Sequence, residues 1–269
     1  MAKSKKLGVA LGSGGGRGLV HIGVLRSLQK HNIEIDYLAG ASIGSLVAAM
    51  FSSLKDPAEI EKRIFDSKWK TLGTLIDPTL FSGGAVSGGK LENLIAEFVG
   101  KENFEELAIP LSTVASDLIS GEEVVSNEGD LAKAVHASMS VPSVFKPVKM
   151  GDKLLVDGGI INPVPSDVVR EMGADIVLAV NLDHRKNNPS DKTNYRLMTS
   201  VTRRTINIMR HYLAEYSTRD ADLLLEPVYD EQSLMSLSLY TDSKKAQGII
   251  DMGERLIDEK IGELQDLLA

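Results

Sequence analysis

The sequence contains no cysteine in 269 residues. Disulfides, a thiolate nucleophile and cysteine-held metals are therefore excluded, although a reducing compartment does not follow. It also lacks a basic excess: 30 Lys and Arg stand against 37 Asp and Glu, a net charge of −7. Nucleic acid is not an expected partner, because phosphate binding calls for clustered Lys and Arg. The same balance gives no general attraction to anionic lipid headgroups. No window approaches the ~18 uninterrupted apolar residues of a spanning helix. Behind the lysine-rich start Met1–Lys6, the apolar stretch is shorter than the roughly 7–15 residues of a secretory leader. The expectation is a soluble, cytoplasmic protein touching membranes, if at all, transiently from outside. What is present is 43% hydrophobic residues and no internal repeat or low-complexity tract. That suits one large α/β domain, the simplest reading, or two small ones.

Strand-like and helix-like stretches alternate. Leu7–Leu11 reads as a short buried strand, and Leu19–Lys30 as a helix with Leu19, Ile22, Leu25 and Leu28 on one face. A second strand ends near Ala39, and a helix follows from Leu46. Asp56-Pro57 opens another helix, with proline at its first position. Residues 69–89 show no clear periodicity and many glycines and prolines, which predicts an extended loop or lid. Its apolar residues Trp69, Leu72, Leu75, Ile76, Leu80 and Phe81 fit either a rim for acyl chains or a cap on the core. Lys90–Val99 is helical, Leu111–Ala115 a strand, 119–126 a hairpin around Gly121, and Leu131–Met139 a helix. Strands at Lys153–Asp157, Asp175–Val180 and Leu223–Leu225 are separated by a helix at Pro165–Met172, a polar surface loop at 183–194 and a long helix from Tyr195 to about Asp220. That long helix, with Leu197, Val201, Ile208, Tyr212 and Tyr216, reads as structural packing. A final amphipathic helix spans Lys244–Leu268. The pattern predicts a three-layer α/β/α sandwich on a mostly parallel sheet. Its motif-bearing part runs over about residues 5–182, with the helical part of about 195–269 packed on it.

Three short motifs carry the chemistry. Gly40-Ala41-Ser42-Ile43-Gly44 is G-x-S-x-G between a strand and a helix, the context of a nucleophile elbow. A glycine-flanked turn with a capping serine fits the same five residues. Gly12–Gly18 joins a strand to a helix, so its amides converge on one spot with the helix dipole behind them, suiting a phosphate or a tetrahedral oxyanion. The dinucleotide fingerprint fails, because Arg17 occupies its last glycine position, and no Gly-Lys-Ser/Thr ends the loop. Gly84–Lys90 matches G-x-x-x-x-G-K, but Leu91 replaces the required hydroxyl. Arg17 fits either a substrate-anion contact or a clamp on a local carboxylate. Asp157, with Gly158 and Gly159 after it, ends a strand at the sheet edge where open α/β folds place ligands. It fits an Asp-Gly turn or, if desolvation raises its pKa, a general base.

Together these blocks resemble the bacterial patatin-like phospholipases. The likeness runs from Leu7 to about Asn181, through Gly14–Leu25, Ala39–Gly44, Ala137–Phe145 and Leu155–Pro165. By that resemblance Ser42 and Asp157 form a catalytic dyad without histidine, and the amides of Gly14, Gly15 and Gly16 form the oxyanion hole. Ser13 departs from the family pattern, which often has glycine there. The resemblance implies hydrolysis of lipid acyl esters, of phospholipase A, lysophospholipase or esterase type, with no metal or other cofactor.

Of the histidines, His21 falls at core spacing, His31 at a helix end, and His136 and His211 within helices. His184, in a polar loop, is the one rival that completes a Ser, Asp, His order; a solvated surface role is preferred for it, and with it the dyad. Acyl transfer is an alternative, although acyl-carrier transferases usually carry histidine where this chain has Ala41. A non-catalytic lipid-binding module and a nucleotide site rank lower. Headgroup, chain length and oligomeric state are not encoded legibly.

Overall fold

The computed structural model describes residues 5–76, 88–101, 103–142, 144–183, 198–228 and 238–269. In chain order the strands are β1 (Leu7–Leu11), β2 (Tyr37–Ala41), β3 (Leu111–Asp117), β4 (Glu123–Ser126), β5 (Val148–Met150), β6 (Lys153–Asp157), β7 (Ile176–Val180) and β8 (Leu223–Leu225). The helices are α1 (Leu19–Lys30), α2 (Ile43–Leu54), α3 (Pro57–Phe65), α4 (Ser67–Ile76), α5 (Gly88–Val99), α6 (Leu131–Ser138), α7 (Ser166–Glu171), α8 (Met198–Ser217), α9 (Ser238–Thr241), α10 (Ser243–Asp258) and α11 (Ile261–Leu268).

The sheet order is β5-β6-β3-β2-β1-β7-β8, with β4 also on β3. The run β3-β2-β1-β7-β8 is parallel, whereas β4, β5 and β6 join by antiparallel pairing, so the sheet is mixed at one side. Every residue of β1 and β7 is buried, as expected for parallel strands covered on both faces, which read as unbroken apolar runs. The register sets up the site. β2 ends with Ala41 opposite Val114, and β6 places Asp157 opposite Ala115, the next residue of β3. One central strand thus brings the elbow at Ser42 and the acid at Asp157 to the same height.

Helix α1, which carries the glycine loop on its amino end, is buried along Leu19, Ile22, Leu25 and Leu28. It crosses α10 with backbone against backbone. A Cβ at Gly23 would lie 1.8 Å from the Ile250 carbonyl oxygen, and one at Gly253 would lie 2.1 Å from that of Val20. Beside the crossing, Arg26 bridges Glu61, Asp251 and Glu254, with carboxylate contacts of 2.5–2.8 Å. Only glycines permit that approach.

Several expectations are corrected. The first part of 69–89 is helix α4, not an extended loop, and residues 77–87 lie outside the described residues. Trp69 and Leu72 are buried, and the Trp69 ring packs on Tyr240 at 5.0 Å and on Phe98 at 6.3 Å. These two therefore cap the core rather than line a rim; the side chains of Leu75, Ile76, Leu80 and Phe81 fall outside the described residues. The spacing of Trp69, Leu72, Gly73 and Ile76 is helical, and the glycines after it obscured the period. The hairpin is present, but its first strand is the end of β3. Strand β5 was not anticipated; it returns on β6 through Gly151, whose φ of +59° explains the glycine. The last helix is two, because Lys260 leaves helical geometry at φ −113° and ψ 5°. Finally, the apolar positions Val201, Ile208, Tyr212 and Tyr216 of α8 are exposed, so they are not internal packing. Among the described residues, no helix is long and apolar enough to cross a membrane.

Candidate active site

Strand β2 passes directly into α2, leaving Ser42 alone at the turn with φ 54° and ψ −124°. A non-glycine residue rarely adopts that conformation, and the surroundings must hold it there. The Ser42 amide donates to Ser138 Oγ at 2.9 Å, and Ser45 Oγ donates to the Ser42 carbonyl at 2.6 Å. The flanking glycines are required by contact. A Cβ at Gly40 would meet the Gly44 backbone at 2.5 Å, and one at Gly44 would meet the Leu11 carbonyl oxygen at 2.0 Å.

Ser42 Oγ donates a 2.6 Å hydrogen bond to Asp157 Oδ2. The other carboxylate oxygen, Oδ1, accepts from the Gly159 amide at 2.7 Å. The Asp157 backbone is also tied, its amide donating to the Ser140 carbonyl at 3.0 Å and its carbonyl accepting from Ser116 Oγ at 3.0 Å. The carboxylate is thus enclosed rather than open. Burial pushes its pKa above the usual carboxylate range, against the lowering influence of the Ser42 hydrogen bond, the Arg210 charge and the Gly159 amide. A buried acid that already receives the serine proton in a hydrogen bond is poised to accept it outright.

The glycine loop lies between β1 and α1. The Gly12 amide donates to the Val180 carbonyl and that of Ser13 to the Pro163 carbonyl. Gly15, at φ +59°, then turns the chain into a 3-10 turn over Gly15–Gly18. Among the described residues, no protein acceptor takes the amides of Gly14, Gly15 or Gly16. A loop of amides without protein acceptors at a helix start suits a developing anion.

Arg17 clamps a local carboxylate, as one of its two readings expects. Its Nε donates to the Gly14 carbonyl at 3.1 Å, and its Nη2 pairs with Asp183 Oδ1 at 2.8 Å. Asp183 Oδ2 in turn pairs with Arg210 Nη2 at 2.7 Å, and the same guanidinium nitrogen reaches Ser13 Oγ at 2.8 Å. Asp183 is buried, not part of an exposed polar loop. Burial would push its carboxyl up, but Arg210 and Arg17 outweigh it and hold it below the usual range. Neither Asp183 nor Arg210 was singled out in the sequence. The available signal was position: Asp183 lies three residues past β7, at the same carboxyl edge as Asp157. Replacing Asp183 with alanine leaves two guanidinium groups facing each other without their shared counterion. A stability loss on the order of 3 kcal/mol is expected in urea denaturation, because removing one partner of a largely buried pair strands the other.

The four described histidines are engaged by other partners. His21 is fully buried, with Nε2 2.7 Å from the Gly12 carbonyl oxygen, and burial lowers its pKa to about 4. Its unfolded value is near 6.5, so below that pH the unfolded chain binds a proton that the folded chain refuses. Stability should therefore fall as pH drops from about 6.5 to about 4, by about 3 kcal/mol in total. His21→Gln, which keeps a donor for Gly12, should flatten that slope in melts taken across this range. His136 is buried against Glu92, and burial lowers its pKa despite that partner. His31 pairs with Asp258, and His211 Nδ1 lies 3.2 Å from the Asp183 carbonyl oxygen. His184 lies outside the described residues. Among the described residues, no cluster of three or more His, Asp or Glu is arranged to hold a metal ion.

An α/β sheet with a serine at its strand–helix elbow, facing an acid from the strand two places away across β3, has the architecture of the serine acyl hydrolases. Residues 9–170 match the family model of patatin-like phospholipases, and the chain belongs to that family. An uncharacterized NTE family protein of Mycobacterium tuberculosis is 33% identical over 191 residues, covering 70% of this chain and 52% of that protein. Patatin-like phospholipase domain-containing protein 7 of Rattus norvegicus is 32% identical over 196 residues, covering 70% of this chain and 14% of that protein. The chain thus spans about half the length of the first of these relatives and a small part of the second. Among solved structures, the type III effector protein ExoU shares the fold, with a TM-score of 0.50 at 14% identity over 98% of this chain and 53% of that one.

Proposed function

We propose that this chain hydrolyses lipid acyl esters, as a phospholipase A, lysophospholipase or esterase, through a Ser42–Asp157 dyad. The observation that carries this reading is the 2.6 Å hydrogen bond from Ser42 Oγ to a buried Asp157. The substrate carbonyl oxygen sits against the amides of Gly14, Gly15 and Gly16. Ser42 Oγ attacks the carbonyl carbon as Asp157 Oδ2 takes its proton, and the oxyanion is held by the amides. Collapse expels the alcohol, which leaves with the proton from Asp157, and an acyl-enzyme remains. Asp157 then deprotonates a water that attacks the acyl-enzyme, and the second collapse releases the fatty acid and returns the proton to Ser42. The Gly159 amide fixes Oδ1 throughout, so Oδ2 alone faces the serine.

A fluorophosphonate probe tests the assignment. One covalent adduct, located at Ser42 by mass spectrometry and blocking turnover of a short-chain ester, is expected. Ester turnover in a fully treated protein that carries no adduct at Ser42 would overturn it.

A further inference from the structure

Helix α8 is built inside out. The side it turns to the protein is polar: Arg210 reaches Ser13 and Asp183, and Ser217 Oγ accepts from the Val164 amide while the Ser217 carbonyl accepts from Ser166 Oγ. Its buried apolar contact is the small Ala214. The side it turns to solvent is apolar. Val201, Ile208, Met209, Tyr212 and Tyr216 follow at i, i+7, i+8, i+11 and i+15, one stripe interrupted by the exposed Thr205 at i+4, with Met209 66%, Tyr212 65% and Tyr216 61% exposed. A helix serving only the core of a water-soluble protein has the opposite arrangement. An apolar stripe of this length left in water marks a surface that meets something else.

The position of the stripe narrows the partner. Arg210 meets Asp183 beyond the carboxyl end of β7, and the Asp222 amide, just after α8, meets the Val177 carbonyl near the strand's amino end. The segment from Arg210 onward therefore spans the height of the sheet. The twelve residues from Met198 to Met209 continue about 18 Å past its carboxyl edge. Ser42, Asp157 and the glycine loop lie along that edge. Further apolar side chains are exposed there: Leu118 and Ile119 in the turn after β3, and Ile160 directly after Asp157-Gly158-Gly159.

Charge separates the two plausible occupants. Arg210 is turned inward onto Asp183, and the charges left to the rest of the helix between Met198 and Arg219 are Arg203, Arg204 and Arg219 against the single acid Glu215, in a chain whose net charge is −7. Arg219 stacks over the Tyr216 ring at 4.3 Å, at the end of the stripe. Two copies meeting through this helix would set like charge against like. An anionic lipid surface complements it, with tyrosines and arginines at headgroup depth and aliphatic side chains below. We propose that the outer face of α8 docks the protein on an anionic lipid surface, holding the carboxyl edge of the sheet against the layer that contains its substrate. This rests on the acyl-hydrolase reading for its purpose, but not for its measurement.

The test uses the full chain carrying Ser42→Ala, so that the lipid stays intact. It is sedimented with phosphatidylcholine vesicles, with and without phosphatidylglycerol. Binding is expected, stronger with phosphatidylglycerol, and weakened about tenfold by Met209→Glu with Tyr212→Glu. In the active chain, the same two changes should leave turnover of a soluble short-chain ester unaltered, which also reports correct folding. Equal vesicle binding with and without the changes would overturn the proposal. So would a dimer in light scattering that the changes convert to monomer, since that outcome gives the face to a second copy. Vesicle binding as expected, in a chain with no esterase activity, would instead retain the docking surface and refute the hydrolase.

Discussion

Replacing Ser42 with alanine is expected to reduce turnover of a short-chain acyl ester by a factor on the order of 10⁴ or more. The size follows from what is removed. Without Oγ no acyl-enzyme forms, and Asp157 is left to activate water directly against an ester it was not placed to serve. The amides of Gly14, Gly15 and Gly16 remain, so a small residual rate above the uncatalysed one is expected. The fold should survive, because the turn is held by the Ser42 amide on Ser138 and by Ser45 on the Ser42 carbonyl, both backbone contacts that alanine keeps. A melting temperature near wild type, together with lost turnover and lost fluorophosphonate labelling, is the signature to look for. Undiminished turnover in this variant would refute the dyad.

Asp157→Asn should damage turnover comparably, by a factor on the order of 10⁴, yet make the protein more stable at neutral pH. The two effects have one cause. Burial raises the carboxyl's pKa, so the folded state pays to keep it ionised. For an acid raised on folding, the destabilisation is absent below the unfolded pKa of about 3.9, grows as pH rises, and is complete above the folded value. Asparagine removes the charge and can still accept from the Gly159 amide. The melting temperature of the variant should therefore exceed wild type at pH 7, and the gap should close on acidification. In the active enzyme the same shift places the acid limb of kcat/KM above the ordinary carboxylate range, since only ionised Asp157 accepts the serine proton. A variant less stable than wild type at pH 7, or an acid limb at the ordinary carboxylate value, would contradict this account.

Much of this was legible in the sequence because the relevant constraints are local. The parallel strands are buried on both faces and so appear as apolar runs, and the elbow, glycine loop and Asp-Gly-Gly turn each occupy a few consecutive residues. Ser42 and Asp157 are 115 positions apart, and each was legible as the end of its own strand, but β6 is antiparallel to β3, and the register that brings Asp157 level with Ser42 was not legible. Features depending on partners far along the chain were not legible. Asp183 looked like the start of a solvated loop because its two arginines, Arg17 and Arg210, come from opposite ends of the sequence. Helix α8 was read as packing because periodicity reports that one face is apolar, not which way that face turns. Helix α4 was missed through the glycines that follow it, and β5 because three residues give too short a pattern.

The crossing of α1 and α10 bears on how the chain can be divided. Gly23 and Gly253 let two backbones touch, one belonging to the helix behind the glycine loop and the other lying more than 80 residues beyond the segment that the family model matches. The part that identifies the protein is therefore smaller than the part that holds its machinery rigid. A fragment cut after that matched segment would retain Ser42, Asp157 and the glycines. It would expose the seam along Val20 and Gly23 to water and free the helix against which the loop is braced.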